Sequence, residues 1–358
     1  MSEIKVNTLR HLDDNGVVSI GNSSIMLPKG TTAQRPSGSA GEIRYNTTLN
    51  KVEYHNGSDW YQFTDNFFSA SGGNTSTFGS YTLHTFTANG NFTVTGSKDI
   101  DILVVGGGGA GGLPSGNSNF GGGGGAGGLV WVTGYTVSAG TYSMVVGDGG
   151  AKGASALTRG NSGQDSTAFG LTAKGGGGGG SQGGTSTGGT GGSGGGAGYT
   201  GGNSGGASAT QPSQSNTGVG TLVYNLGNSG GNGNTNPNGG GGGGGAGGSG
   251  FTGSSSTNGG AGFNMSSLLG TAVGDSGWFA GGGGGTQQAG HGTHAGNNGG
   301  LGGGGNSTEY NEGGSTCTPG QANTGGGGGA GRNGGFGATN SGDGEAGGSG
   351  VVIIRYLT

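Results

Sequence analysis

Apolar positions in this chain come as short islands, and the first of them alternate with polar residues. Glu42-Ile43-Arg44-Tyr45-Asn46, Lys51-Val52-Glu53-Tyr54-His55 and Trp60-Tyr61-Gln62-Phe63 repeat with the period of two that marks half-buried strands. Asn56-Gly57, between the second and third, is a strong short-range hairpin signal. Further candidate strands are 81–87, 91–95, 100–105, 129–133, 141–146 and 167–173, separated by turn chemistry such as Asn89-Gly90 and Ala139-Gly140. The chain closes on Val351-Val352-Ile353-Ile354-Arg355-Tyr356, a continuous apolar run of the kind buried on both faces of a sheet.

Between residue 106 and that closing strand the pattern is glycine. Of 358 residues 108 are Gly, and only 11 of these precede Ser97, which separates a short N-terminal module, residues 1–66, from a glycine-rich domain, residues 67–358. Glycine loses the most backbone entropy on ordering and has no side chain whose burial offsets the loss. Composition alone therefore favours disorder, against which stand the apolar islands, most of them adjoining a glycine run. A left-handed extended helix with three residues per turn makes no internal hydrogen bonds, so its amides point outward. All-glycine segments laid side by side satisfy one another's amides laterally, as buried backbone requires. Collagen is rejected, because the chain has six Pro and no strict Gly-X-Y period. The fold expected is all-β: a short β module followed by a β-strand framework enclosing a bundle of polyglycine II helices. The module is too small to bury a core of its own, so chains are expected to associate through residues 1–66.

Charge narrows the function. The formal net charge is −4 and no Lys or Arg lies between Lys174 and Arg332, which excludes a phosphate-binding nucleic-acid surface. Cys317 is the single cysteine, so neither an internal disulfide nor a cysteine-ligated zinc site is expected. The N-terminus has no apolar signal core and no stretch is long enough for a membrane-spanning helix, so the chain is expected to be made in a cytoplasm without membrane insertion.

The chemical motifs fare worse than the structural ones. Gly106, Gly108 and Gly111 fit a dinucleotide fingerprint after a strand, but Pro114 and a further glycine run forbid the helix it requires. Residues 160–168 resemble one calcium-binding nonapeptide, whereas such sites need stacked copies. His291 and His294 are three apart, with Gly290, Gly292 and Gly296 around them excluding a helix that would pair them on a metal. Asp275, Glu309, Glu312, Asp343 and Glu345 have no rigid support that would place two carboxylates at a catalytic separation. No cofactor, metal or enzymatic activity is expected.

Aromatics and histidines inside the glycine-rich half have no room in a polyglycine interior. Tyr199, Tyr224, Phe251, His291, His294, Glu309, Tyr310 and Glu312 are therefore the candidate partner-binding residues, expected at loop tips or lattice ends. The alternative for Leu222, Tyr224, Phe263 and Leu269 is that they seal the ends of the bundle, while Trp278 and Phe279 belong to the framework. Segments 286–301 and 306–324 carry most of the candidates and no apparent framework strand, with 181–238 next.

Two stretches carry a resemblance. Residues 30–63, from Gly30-Thr31-Thr32-Ala33-Gln34-Arg35-Pro36 to Gly57-Ser58-Asp59-Trp60, resemble a short β module of tail-fibre and other virion proteins of tailed bacteriophages, marine cyanophages among them. Residues 81–112 and the closing Gly350-Val351-Val352-Ile353-Ile354-Arg355-Tyr356 resemble phage glycine-rich-domain proteins. The arrangement is similar to tail-fibre tip adhesins of T-even-like phages and, without its cysteines and membrane anchor, to the glycine-rich region of anaplastic lymphoma kinase. The resemblance implies a virion tail-fibre or tail-tip adhesin that binds a host surface glycan or outer-membrane protein. It also implies attachment to other tail or baseplate proteins and a homotrimer. The alternatives are a purely structural virion protein and, third, a capsule-degrading tail enzyme.

Overall fold

An alternating strand buries one of its faces, and in the N-terminal module the buried face is the polar one. The computed structural model describes residues 26–63, 68–114, 120–153, 157–202, 204–211, 220–235, 238–253, 256–287, 298–308, 317–332 and 343–358. It divides into two units, Met1–Asn66 and Phe67–Thr358. In the first, β1 (Lys29–Gly30), β2 (Ile43–Asn46), β3 (Lys51–His55) and β4 (Trp60–Gln62) form a sheet in that order, with a 3-10 turn at Thr32–Gln34. Its buried side chains among the described residues are Arg44, Asn46, Glu53 and His55. Glu53 accepts from Arg35 Nη2 at 2.7 Å and from Asn46 Nδ2 at 3.0 Å, with Arg44 Nε at 3.6 Å. The Arg35 hydrogen bond, opposed by burial, holds the Glu53 carboxyl below its ordinary range.

In the second unit the strands are β5 (Ser69–Ser71), β6 (Asn74–Phe78), β7 (Tyr81–Phe86), β8 (Gly90–Thr95), β9 (Lys98–Val105), β10 (Leu129–Val137) and β11 (Gly140–Met144). There follow β12 (Ser166–Ala168), β13 (Leu171–Ala173), β14 (Thr221–Leu226), β15 (Asn234–Thr235), β16 (Asn238–Gly239), β17 (Phe263–Asn264), a single helical turn α1 (Ser266–Leu269), β18 (Trp278–Phe279) and β19 (Val351–Leu357). The class is all-β. One six-stranded antiparallel sheet has the order β14-β10-β9-β19-β7-β6, and a three-stranded sheet has the order β11-β8-β5. The expected strand over 167–173 is instead the hairpin β12–β13, because the chain reverses through positive φ at Phe169 and Gly170.

Strands β9, β10 and β19 are buried on both faces. Ile102, Val104, Val130, Val132, Val352 and Ile354 point into a cluster with Phe92, Met144 and Leu171. Their neighbours Leu103, Val105, Leu129, Trp131, Val351 and Ile353 point the other way, against Met265, Leu269 and Phe279. Ala126, Ala246 and Ala280 join this second cluster, so the glycine runs begin directly beneath the sheet with a methyl group where an apolar face is to be met.

The runs themselves form the lattice. Within residues 121–128 successive N–H groups rotate among three neighbours: Gly122, Gly125 and Gly128 donate to Gly180, Gly177 and Lys174; Gly123 and Ala126 to Gly241 and Gly244; Gly124 and Gly127 to Gly328 and Gly325. The carbonyls rotate among three others, accepting from Gly112, Gly109 and Gly106, from Gly196 and Ser193, and from Thr286 and Gly283, all at 2.8–3.0 Å. A donor pattern with period three and six flanking segments is the signature of polyglycine II helices packed hexagonally. Glycine is required by contact: a Cβ on Gly123 would lie 2.0 Å from the Gly283 carbonyl oxygen, and one on Gly127 2.0 Å from that of Gly106.

Candidate functional site

A lattice of extended helices has two ends, and the strands define which is which. Residues 106–112 leave β9, 121–128 enter β10 and 344–350 enter β19, so Gly112, Gly121 and Gly344 mark the end remote from the six-stranded sheet. At that end side-chain hydroxyls take over from the lattice, as caps do for α-helices. Thr286 Oγ1 accepts from the Gly121 amide at 2.8 Å; Ser181 Oγ donates to the Leu113 carbonyl and Ser307 Oγ to that of Gly285, each at 2.7 Å. Ser204 caps the Gly198 carbonyl in the same way.

Around these caps sits a small cluster built on Phe120. Its amide donates to Gln182 Oε1 at 2.7 Å, and its ring meets Tyr199 edge-on at 6.0 Å. The Arg332 guanidinium lies 5.0 Å above the same ring, and its Nη1 donates to the Gln287 carbonyl at 3.4 Å. Phe120, Arg332 and Gln287 are buried and Tyr199 is half-buried, so the cluster is a platform beneath the surface. Cys317, also at this end, donates from Sγ to the Asp343 carbonyl, and burial pushes its thiol up to about 12.

The chain on both sides of segments 115–119, 236–237, 254–255, 288–297, 309–316 and 333–342 meets at this end. Leu113 contacts Leu157 and Ser181; Gly239 bridges Gln287; Thr257 accepts from Gly285; Cys317 meets Asp343; Arg332 bridges Phe120. Segment 212–219 is the exception, since Gln211 bonds to Lys174 and Thr172 and Gly220 abuts Val132, at the sheet end.

His291, His294, Glu309, Tyr310 and Glu312 lie outside the described residues. The other three candidates are not brought together. Tyr199 is at the remote end, Phe251 is 51% exposed on the lattice flank, and Tyr224 sits on β14 at the sheet end, 4.6 Å from the Phe263 ring and packed on the core. The segments expected to be free of framework are shorter than 286–301 and 306–324. Thr286 caps Gly121, Gly300 donates to Gly282, and Thr318 and Gly320 donate to Asn306 and Ala346. Glycine singlets between polar residues conceal such lattice positions in the sequence. Phe120 and Arg332 were also missed, although each directly flanks a glycine run and Arg332 ends a long stretch without cations.

Among the described residues no group of three His, Cys, Asp or Glu side chains could hold a metal ion. No helix of the described chain is long and apolar enough to cross a membrane.

A β framework whose six-stranded sheet rests on laterally hydrogen-bonded glycine helices defines the class of this fold. The model of the glycine-rich domain family matches residues 85–357, and the chain belongs to that family. No curated protein matches it.

Proposed function

We propose that this protein is a tailed-phage virion component, a tail-fibre or tail-tip adhesin that recognises the host surface. The observation that carries the reading is convergence: the chain flanking 288–297, 309–316 and 333–342 meets at one lattice end, remote from the sheet. The aromatic module resembling those of virion fibres supplies the other half, attachment to further tail or baseplate proteins. The ligand is a surface glycan or outer-membrane protein, contacted through aromatic stacking and through Asn and His hydrogen bonds. With no Lys or Arg between Lys174 and Arg332, binding depends little on salt.

The test exchanges 288–297 and 309–316, separately and together, for Gly/Ser sequence of equal length, leaving Thr286, Asn298, Ser307 and Cys317 in place. Adsorption to host cells is expected to be lost while thermal stability is unchanged. Adsorption that survives the double exchange counts against the reading and in favour of a structural virion protein. Shortening of purified capsule polysaccharide by the intact chain would point to the enzyme instead.

A further inference from the structure

The buried layer of the N-terminal unit holds more positive charge than negative. Arg44 on β2 stands in register with Glu53 on β3, and Arg35 reaches the same carboxylate from the segment before β2. The Glu53 side chain is wholly buried and its oxygens are taken. Arg35 donates to it from Nε at 3.2 Å and from Nη2 at 2.7 Å, and Asn46 donates from Nδ2 at 3.0 Å. The Arg44 side chain is 6% exposed, yet its Nε comes only to 3.6 Å of that carboxylate, beyond hydrogen-bond distance. Its Nη2 donates to the Thr31 carbonyl at 3.2 Å. Its Nη1 is closed off from solvent and has no hydrogen-bond partner, the one such side-chain atom among the described residues of this unit.

Two guanidinium groups thus share one carboxylate, and the one with the orphaned nitrogen is the more deeply buried. The other buried side chains of the layer, Asn46 and His55, carry no negative charge. A buried donor without a protein partner calls for a water or an ion, and a buried cation without compensation is strongly destabilising. Water takes up the hydrogen bond but leaves the charge, whereas an anion answers both. The surroundings limit its size. A Cβ on Gly30 would lie 2.6 Å from Arg44 Nη2 and 3.1 Å from Gln34 Oε1, and the Trp60 ring centroid is 5.7 Å from the guanidinium carbon. Phosphate and sulfate need donors converging on several oxygens, and a partner's carboxylate cannot reach a nitrogen closed to solvent unless the fold opens. An anion of one atom meets every condition.

We propose that the N-terminal module holds a halide ion, chloride in a cell, against Nη1 of Arg44. The inference is independent of host recognition, since it concerns the other unit and needs no receptor. The experiment follows the module's transition in calorimetry of the full-length chain while sodium chloride replaces sodium gluconate at constant ionic strength. Gluconate is too large for the site. The proteins compared are the native chain, Arg44→Met, which keeps the apolar stem, and Lys29→Met, which removes an exposed cation from β1. In the native chain and Lys29→Met the midpoint is expected to rise by about 5 °C or more for each tenfold increase in chloride once the site fills. In Arg44→Met it is expected to stay where it is. A native midpoint that is the same in chloride and in gluconate means that water alone serves Nη1, and it overturns the proposal. A chloride response that survives in Arg44→Met, or that Lys29→Met abolishes, belongs to the surface and overturns it as well. Should Arg44→Met unfold the module, native crystals soaked in bromide decide. The proposal requires an anomalous peak within hydrogen-bond reach of Nη1, and a map without one overturns it.

Discussion

The two units solve the problem of buried polar groups in opposite ways. In Met1–Asn66 the buried polar groups belong to side chains, with Glu53 taking bonds from Arg35 and Asn46 and an ion pair with Arg44. In Phe67–Thr358 they are mostly backbone amides, satisfied by other backbones at lattice spacing. The first arrangement depends on charge and on a few irreplaceable atoms. The second depends on the absence of side chains at dozens of positions, while residues between the runs such as Ser181, Thr286 and Ser307 close the lattice end.

The lattice side of that contrast breaks most severely. Gly242→Val with Gly283→Val places side chains where a Cβ alone would come within 1.9 Å of the Asn258 carbonyl oxygen and 2.0 Å of that of Gly328. The expected loss is about 5 kcal/mol or more, read as a collapse of the denaturant midpoint of the larger unit. Gly205→Ala, where a Cβ meets nothing within 4 Å, is the matched control. It should stay within about 0.5 kcal/mol of the native protein. Equal midpoints for the double variant and the control would remove the case for a packed lattice.

Glu53→Gln tests the module. It leaves Arg44, which is 5% exposed, beside Arg35 without their shared carboxylate. Breaking a buried pair in this way costs about 3–5 kcal/mol, so the module should unfold while the larger unit melts as before. Calorimetry of the full chain separates the two transitions, and a common shift of both would mean that the units do not fold independently.

Acid gives a milder version of the same experiment. Glu53 has its folded pKa lowered below the ordinary value of 4.5, so its ionisation stabilises the module at neutral pH, and that contribution disappears as pH falls through the folded value. Between pH 5 and pH 3 the module's midpoint is expected to drop. The lattice amides carry no titrating group, so an equal drop in the larger unit would contradict the contrast.

The smallest effect concerns Cys317, whose thiol is buried and pushed up to about 12. Reaction with a thiol reagent at pH 8 should be negligible in the folded protein and rapid in denaturant, because the thiolate is the reactive form. Fast labelling of the native chain would show that the lattice end opens readily.

Much of this architecture was legible in the chain itself. Alternation located β2, β3 and β4, the continuous run at 351–356 marked β19 as buried on both faces, and long glycine runs without proline specified laterally bonded extended helices. Period and composition act locally, which is why they can be read in order along the chain. β6, composed of Asn, Thr, Ser and Phe, was not legible, because an edge strand with every residue exposed needs no apolar alternation. Tyr224 could be read either as a loop aromatic or as a seal on the bundle, and it lies on β14 against Phe263, as the second reading expects. Alternation also identified the two faces of the N-terminal sheet without saying which was covered. Only the folded chain puts Glu53 beneath Arg35 and turns Tyr54 and Tyr61 outward. Likewise, sequence alone determined that glycine runs pair, while tertiary structure decided that Phe120, Thr286, Gln287 and Arg332 share one end. The pairing requirement belongs to every amide, but the choice of neighbours follows from which strand each run leaves or enters, and that is a property of the whole sheet.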